Sequence, residues 1–145
     1  MRIAVLNGPN LDLLGVREPE VYGRATLSEI EALVRAEAQG LGVEVEWFQS
    51  NHEGAFVEQV HALRGRADGV VVNAAAWTHG NLAIRDALLG VGIPYVEVHL
   101  SNLFAREPER RESVLADRAV GFICGFGPAG YVLAVRALVD RLRER

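Results

Sequence analysis

No lysine occurs among the 145 residues, so all 15 basic side chains are arginine. Lysine Schiff bases, pyridoxal-phosphate anchoring and the phosphate-loop lysine each need a side-chain amine, and all three are excluded together. The single cysteine, Cys124, has no partner for an internal disulfide and cannot build a thiolate metal cage. A reducing, cytoplasmic setting is therefore the expectation. Positive charge is also in deficit, because 15 arginines against 19 acids leave a formal net charge of -4. Polyanion binders need clustered positive charge, so nucleic acid is not an expected partner.

Long apolar runs are missing too. The amino-terminal run Ile3 to Leu6 is four residues, short of the roughly 7 to 15 of a signal peptide. The longest uncharged stretch, Ala119 to Val135, is interrupted by four glycines and Pro128. It reads as a strand, a glycine turn and a helix start, so no membrane partner is expected.

What is present fits one globular domain over residues 1–145, since half of the residues are hydrophobic. Five short apolar runs recur: Ile3 to Leu6, Val43 to Phe48, Val70 to Val72, Tyr95 to Val98 and Val120 to Cys124. They predict buried parallel strands. Helical spacing falls between and after them, at Leu27 to Ala38, Ala55 to Leu63, Leu82 to Leu89 and Tyr131 to Leu142. Thr26-Leu27-Ser28-Glu29 predicts a capping box, and Pro128 suits a first helical turn. The alternation implies an α/β three-layer sandwich, flavodoxin-like, with a five-stranded parallel sheet. One connection is exceptional: Asn7 to Ala25 far exceeds the usual two to six residues, and loops of that length carry function or disorder.

In open α/β sheets ligands bind beyond the carboxyl ends of the strands. The residues there are polar: Asn7-Gly8-Pro9-Asn10, Gln49-Ser50-Asn51-His52-Glu53, Asn73 to His79 and Glu97 to Asn102. Such a rim suits a small hydroxylated ligand. Gly125-Phe126-Gly127-Pro128-Ala129-Gly130 matches the G-x-G-x-x-G pattern, but only 15 residues follow it and no strand does. A dinucleotide fingerprint belongs to the first βαβ unit, so close helix packing is the expected role.

Arg17 and Tyr22 lie in the long connection. A guanidinium near a tyrosine favours the phenolate and lowers the hydroxyl pKa by roughly one to three units. The pair reads as a base or, equally, as an ordinary surface loop. Glu97 and His99, two apart at a strand end, project to one face. They read as a carboxylate-oriented imidazole that shuttles a proton, or as a satisfied histidine at the sheet. A triad with Ser101 lacks the G-x-S-x-G turn, and a metal site of His79, Glu97 and His99 lacks H-E-x-x-H spacing. No metal or cofactor is expected. His61 reads as structural and His52 as an ambiguous loop residue. Arg106, Arg110 and Arg111 read as carboxylate or hydroxyl binders or as a solvated charge cluster.

Five separated blocks then resemble one family, the type II 3-dehydroquinate dehydratases of the shikimate and quinate pathways. They are Gly8-Pro9-Asn10-Leu11 with Leu14-Gly15, Arg17-Glu18-Pro19 and Tyr22-Gly23; Gln49-Ser50-Asn51 with Glu53-Gly54; Asn73 with Thr78-His79 and Ile84-Arg85-Asp86-Ala87; Glu97 to Asn102 with Arg106-Glu107; and Gly130-Tyr131. The resemblance implies dehydration of 3-dehydroquinate to 3-dehydroshikimate through an enolate, with no metal or organic cofactor. Tyr22 would be the base, Arg17 its activator and His99 the acid that protonates the departing hydroxyl. Glu97 would orient His99, and Asn10 would hold a water that stabilises the enolate, an oxyanion-hole role. The Leu100 and Ser101 amides, with the Ser101 hydroxyl, would receive the substrate carboxylate. Asn73, His79 and Arg110 would bind ring hydroxyls, Arg106 would help close a lid around residues 7–25, and Asp86 would reach a neighbouring subunit's site. The family assembles as dodecamers, four trimers each.

The chain departs from the family pattern at Asp12, where Asn is common, and at Ala74-Ala75-Ala76-Trp77, where glycine is common. Gly80-Asn81 stands where Thr-Ser is usual, and Pro108-Glu109 precedes Arg110 where an acid and an aromatic are common. These departures bear on the lid and on affinity. The competing reading is a non-catalytic flavodoxin-like binding or regulatory module, and a further one is the same reaction serving quinate catabolism. A phosphoacceptor receiver is disfavoured because the first strand ends in Asn7 rather than acids.

Overall fold

The computed structural model describes residues 1–145. Five strands, β1 (Arg2–Asn7), β2 (Glu44–Gln49), β3 (Gly69–Asn73), β4 (Tyr95–His99) and β5 (Gly121–Cys124), form one sheet in the order β2-β1-β3-β4-β5. Every pair is parallel, and the order is the flavodoxin-like one expected from the alternation. The helices are α1 (Pro19–Tyr22), α2 (Leu27–Leu41), α3 (Glu53–Ala62), α4 (Leu82–Val91) and α5 (Pro128–Arg143). No helix is long and apolar enough to cross a membrane.

The two-residue period of the strands divides the core. Ile3, Val5, Val71, Val96 and Val98 pack on α2 and α5, against Ile30, Val34, Ala134, Val135 and Leu138. Ala4, Leu6, Val70, Val72 and Tyr95 pack on α3 and α4, against Phe56, Val60, Ile84 and Leu88. Each fully buried Leu, Ile, Val or Phe contributes about 1.5–3 kcal/mol relative to exposure. On the same parity as Tyr95, β4 presents Glu97, a carboxylate in a row that the neighbouring strands fill with Leu6 and Val72. The expectation of buried strands holds for β1, β3 and β4, but β2 and β5 are only half-buried. They are the sheet edges, each covered by a neighbour on one side only.

Half of the expected capping box forms at α2. The Thr26 hydroxyl oxygen accepts from the Glu29 N–H at 3.2 Å, but the Glu29 carboxylate accepts from the Thr26 hydroxyl instead of reaching the backbone. Pro128 opens α5 behind Gly127, whose φ is 60°. Gly130 faces Val98 and Ile123, where a Cβ would sit 3.4 Å and 3.6 Å from their methyl groups. The glycine run thus packs a helix on the sheet, as its position predicts.

The long first connection is not a free loop. Leu11 and Leu14 are buried in the α2–α5 core, Leu11–Leu13 forms a 3-10 turn, and α1 carries Tyr22 back toward the sheet. Gly8 lets this segment leave β1 against β3, since a Cβ there would lie 2.5 Å from the Ala74 carbonyl oxygen.

Candidate active site

The parallel register sets the carboxyl ends of three strands level, with Asn7 opposite both Gln49 and Asn73. Above them a cavity of about 120 Å³ is lined by Pro9, Asn10, Leu11, Arg17, Tyr22, Asn73, Ala75, Ala76, His79, His99, Leu100, Ser101, Leu103, Arg106 and Arg110. Ten of the twelve anticipated site residues converge on it. Glu97 lies directly behind His99, and only Asp86, exposed on α4, stands outside the cavity of its own chain. His52 and His61 also lie elsewhere. A wider, open groove of about 810 Å³ follows the outer edge of β2. Its Arg2, Arg35 and Arg66 are already paired with Glu44, Glu31 and Glu46, which leaves no free reactive group there.

One wall is deeply built. The His99 Nε2 lies 2.5 Å from Glu97 Oε2, with the two residues 4% and 0% exposed. Glu97 also accepts from the Thr78 hydroxyl at 2.7 Å and from the Ser113 hydroxyl at 2.6 Å. Phe122 of β5 leans on the imidazole with ring centroids 5.8 Å apart. Since Nε2 is taken by the carboxylate, Nδ1 is the nitrogen left for chemistry. The Tyr95 hydroxyl, pushed up to about 12 by burial and then by the Glu97 charge, donates to the Leu115 carbonyl.

Beneath the cavity a buried polar chain joins three segments. Asn73 Nδ2 donates to the Tyr131 hydroxyl, which donates to Asn7 Oδ1, both at 2.8 Å; Asn7 Nδ2 donates to the Phe48 carbonyl at 3.0 Å. Burial pushes the Tyr131 phenol far above its ordinary range, so it stays a donor. The Ala75 N–H donates to Asn73 Oδ1 at 3.0 Å, and Ala75 itself has φ 52°. That left-handed conformation costs a non-glycine residue of order 1 kcal/mol or more. A glycine at this position would adopt it without that cost.

The other wall comes from the first connection. Tyr22 sits between two cations, with the Arg17 guanidinium 5.1 Å and that of Arg106 5.3 Å from its ring centroid. Arg106 donates to the Tyr22 hydroxyl at 3.3 Å and to the Ser101 hydroxyl at 3.2 Å, bridging the two. Asn10 adopts φ 67°, a conformation asparagine tolerates, and its N–H donates to Asn51 Oδ1 at 2.9 Å. His79 Nδ1 donates to the Glu112 carbonyl at 2.8 Å, leaving its Nε2 free to accept. Arg110 pairs with Glu107 at 2.5 Å, and a backbone hydrogen bond together with that pairing holds the Glu107 carboxyl below its ordinary range.

Thr78 and Ser113 were not anticipated as site residues. Thr78 stands beside His79 in a recognisable block, but nothing in the polar run Arg110 to Ser113 marks Ser113, whose partner lies 16 residues earlier in another element.

A parallel five-stranded sheet with a phenol between guanidinium groups and a carboxylate-backed imidazole on one cavity defines an α/β protein equipped for proton transfer. Residues 1–139 match the family described as Dehydroquinase class II, and the chain belongs to that family. The 3-dehydroquinate dehydratase of Synechococcus sp. (strain CC9605) is 57% identical over 144 residues, 99% of each chain. A relative named catabolic 3-dehydroquinase 1, from Aspergillus terreus, is 54% identical, covering 98% of this chain and 93% of that one. The crystal structure of the type II dehydroquinase from Propionibacterium acnes superposes with a TM-score of 0.91 at 42% identity, covering 96% of each chain.

Proposed function

We propose that this protein is a type II 3-dehydroquinate dehydratase that removes water from 3-dehydroquinate to give 3-dehydroshikimate in the shikimate pathway. The observation that carries the reading is a pair of proton-handling groups on one cavity: Tyr22 flanked by two guanidiniums, and His99 backed by a buried carboxylate.

Tyr22, as phenolate, takes the proton beside the ketone, and the C–H electron pair becomes the enolate. Charge on the tyrosine oxygen is met by the Arg106 hydrogen bond, with the Arg17 guanidinium beside the ring. Asn10 holds a water against the enolate oxygen. Collapse of the enolate breaks the C–O bond, forms the C=C bond and expels hydroxide, which His99 protonates from Nδ1 to give water. Proton return from Tyr22 to His99 through solvent resets the site. Glu97 stays paired with the ring through Nε2–H, first as imidazolium and then, once Nδ1 has given its proton, as neutral imidazole. The Leu100 and Ser101 amides and the Ser101 hydroxyl bind the substrate carboxylate, while Asn73, His79 and Arg110 bind ring hydroxyls. Ketone activation is by hydrogen bonding, since no side-chain amine exists to form an imine.

Residues 7–25 act as a lid that brings Arg17 and Tyr22 over the substrate, with Arg106 as its latch. Asp86 serves a neighbouring subunit's cavity, in a dodecamer of four trimers located in the cytoplasm. Support for the in-trans role is that Asp86 is exposed and remote from its own chain's cavity.

Purified protein mixed with 3-dehydroquinate, without added metal or cofactor, is expected to generate the ultraviolet absorbance of the conjugated enone. A folded protein that leaves the absorbance flat overturns the reading. Restored growth of a dehydratase-deficient aromatic auxotroph tests the pathway, and light scattering tests the dodecamer.

A further inference from the structure

We infer that Ser113 and Thr78 are positioning residues that fix the proton distribution of the Glu97–His99 couple, so that His99 presents a single nitrogen to the cavity. The geometry rests on proton accounting. A serine hydroxyl has one proton to give and two lone pairs to receive with. At Ser113 both lone pairs are occupied, by the Leu115 N–H at 3.0 Å and the Ala116 N–H at 3.1 Å. Its one proton is therefore committed to Glu97 Oε1, 2.6 Å away. That oxygen is an acceptor, the role an ionised carboxylate fills with both of its oxygens.

The second oxygen is constrained the same way. Thr78 is fully buried, and its hydroxyl has Glu97 Oε2 as its partner, at 2.7 Å. With Thr78 donating, Oε2 also accepts, and the carboxylate is an anion that receives three donors. The proton between Oε2 and His99 then belongs on Nε2. No buried side-chain nitrogen lacks a partner, and His99 lines the cavity, so Nδ1 is the nitrogen in reach of solvent and substrate. Backbone geometry fixes the source of this order. Ser113 is held by the turn at 113–116, whose Val114 N–H donates to the Thr78 carbonyl at 2.8 Å and whose Val114 carbonyl accepts from Arg85 at 2.6 Å. Thr78 and Ser113 are thus clamped to each other and to one carboxylate.

The inference rests on the proposed dehydratase activity only for its kinetic part. Its structural part is read by nitrogen-15 NMR of protein labelled at its four histidines, with His99 assigned through a His99→Gln variant. The wild type is expected to keep Nε2 protonated in both ring states, with a downfield proton typical of a carboxylate partner, so that Nδ1 alone gains and loses the proton that makes the ring an acid. Thr78→Val and Ser113→Ala each free Glu97 to change protonation, so the Nε2 proton moves upfield and a tautomer mixture appears. Under saturating substrate, kcat falls about tenfold for each and more for the double variant, while KM changes by less than about threefold. Thr78→Ser and Ser113→Thr keep the hydroxyl and restore both signals.

Unchanged His99 resonances and kcat in Thr78→Val and Ser113→Ala overturn the inference. Equal losses in the hydroxyl-retaining variants overturn it as well, since packing alone would then account for them. Ser113 is only half-buried, so Ser113→Ala carries the test if Thr78→Val does not fold. Wild-type protein with the expected His99 signature and no turnover leaves this inference standing and removes the dehydratase reading instead.

Discussion

The two walls of the cavity are built in opposite ways. The β4 wall places Glu97 and His99 in the sheet, with almost no exposed surface and three donors on the carboxylate. The wall from the first connection hangs Tyr22 on a four-residue helix, and the Arg17 side chain beside it is 36% exposed. Parallel-sheet ends hold a group rigidly because packing on both faces fixes the backbone, whereas a long connection is anchored at a few points and can move. Here the anchors are Leu11 and Leu14. His99 is thereby part of the core, whereas Tyr22 hangs on a segment anchored at two leucines.

The largest expected effects test that division directly. Tyr22→Phe and His99→Ala each lower kcat by roughly a hundredfold to ten-thousandfold, measured as enone formation. Stability then separates the walls. Glu97→Ala strands the Thr78 and Ser113 hydroxyls and opens a cavity, costing about 2–4 kcal/mol in urea unfolding. Arg17→Ala leaves the unfolding midpoint within about 0.5 kcal/mol of the wild type while activity falls. Equal destabilisation by the two would erase the contrast.

A middle-sized effect lies under the floor of the cavity. Tyr131→Phe removes the hydroxyl that both receives from Asn73 and donates to Asn7, which costs about 1–3 kcal/mol in a buried site. Loosening Asn73 is expected to raise KM more than it lowers kcat, as steady-state kinetics would show.

The smallest effect concerns the segment that backs the core wall. Arg85 holds Asp117 at 2.5 Å and, chiefly through that hydrogen bond, keeps its carboxyl below the ordinary 3.8. A depressed folded-state value means that the pair's stabilisation is fully present above the unfolded value and is lost as the pH falls through the folded one. Between about pH 6 and pH 3, thermal unfolding of the wild type should therefore drop slightly more than that of Asp117→Asn. Asp117 is exposed and Arg85 only half-buried, so the difference is small.

Much of this division could be read from residue order alone. Strand parity sets Glu97 and His99 on one face, and the alternation of apolar runs with helical spacing implies the flavodoxin-like parallel sheet. The long connection announced itself by length, but its buried Leu11 and Leu14 did not, because leucine in a loop has no periodicity to betray it. Edge strands looked as apolar as central ones, and only the order of strands reveals which lack a neighbour. Ser113 was invisible for a different reason: a hydrogen bond between distant segments leaves no trace in local pattern. The half-formed capping box shows the converse, a legible motif whose second hydrogen bond the folded chain made elsewhere.

Arg106 joins the two walls, donating to Tyr22 on one and to Ser101 on the other. A carboxylate that docks at Ser101 meets a hydroxyl already engaged by this guanidinium, so association is an exchange of partners more than a gain of them. The affinity then reports the difference between two sets of hydrogen bonds. Selectivity among anions of similar charge falls to shape, because any of them can displace the same contact but few can also fill the space between the phenol and the imidazole.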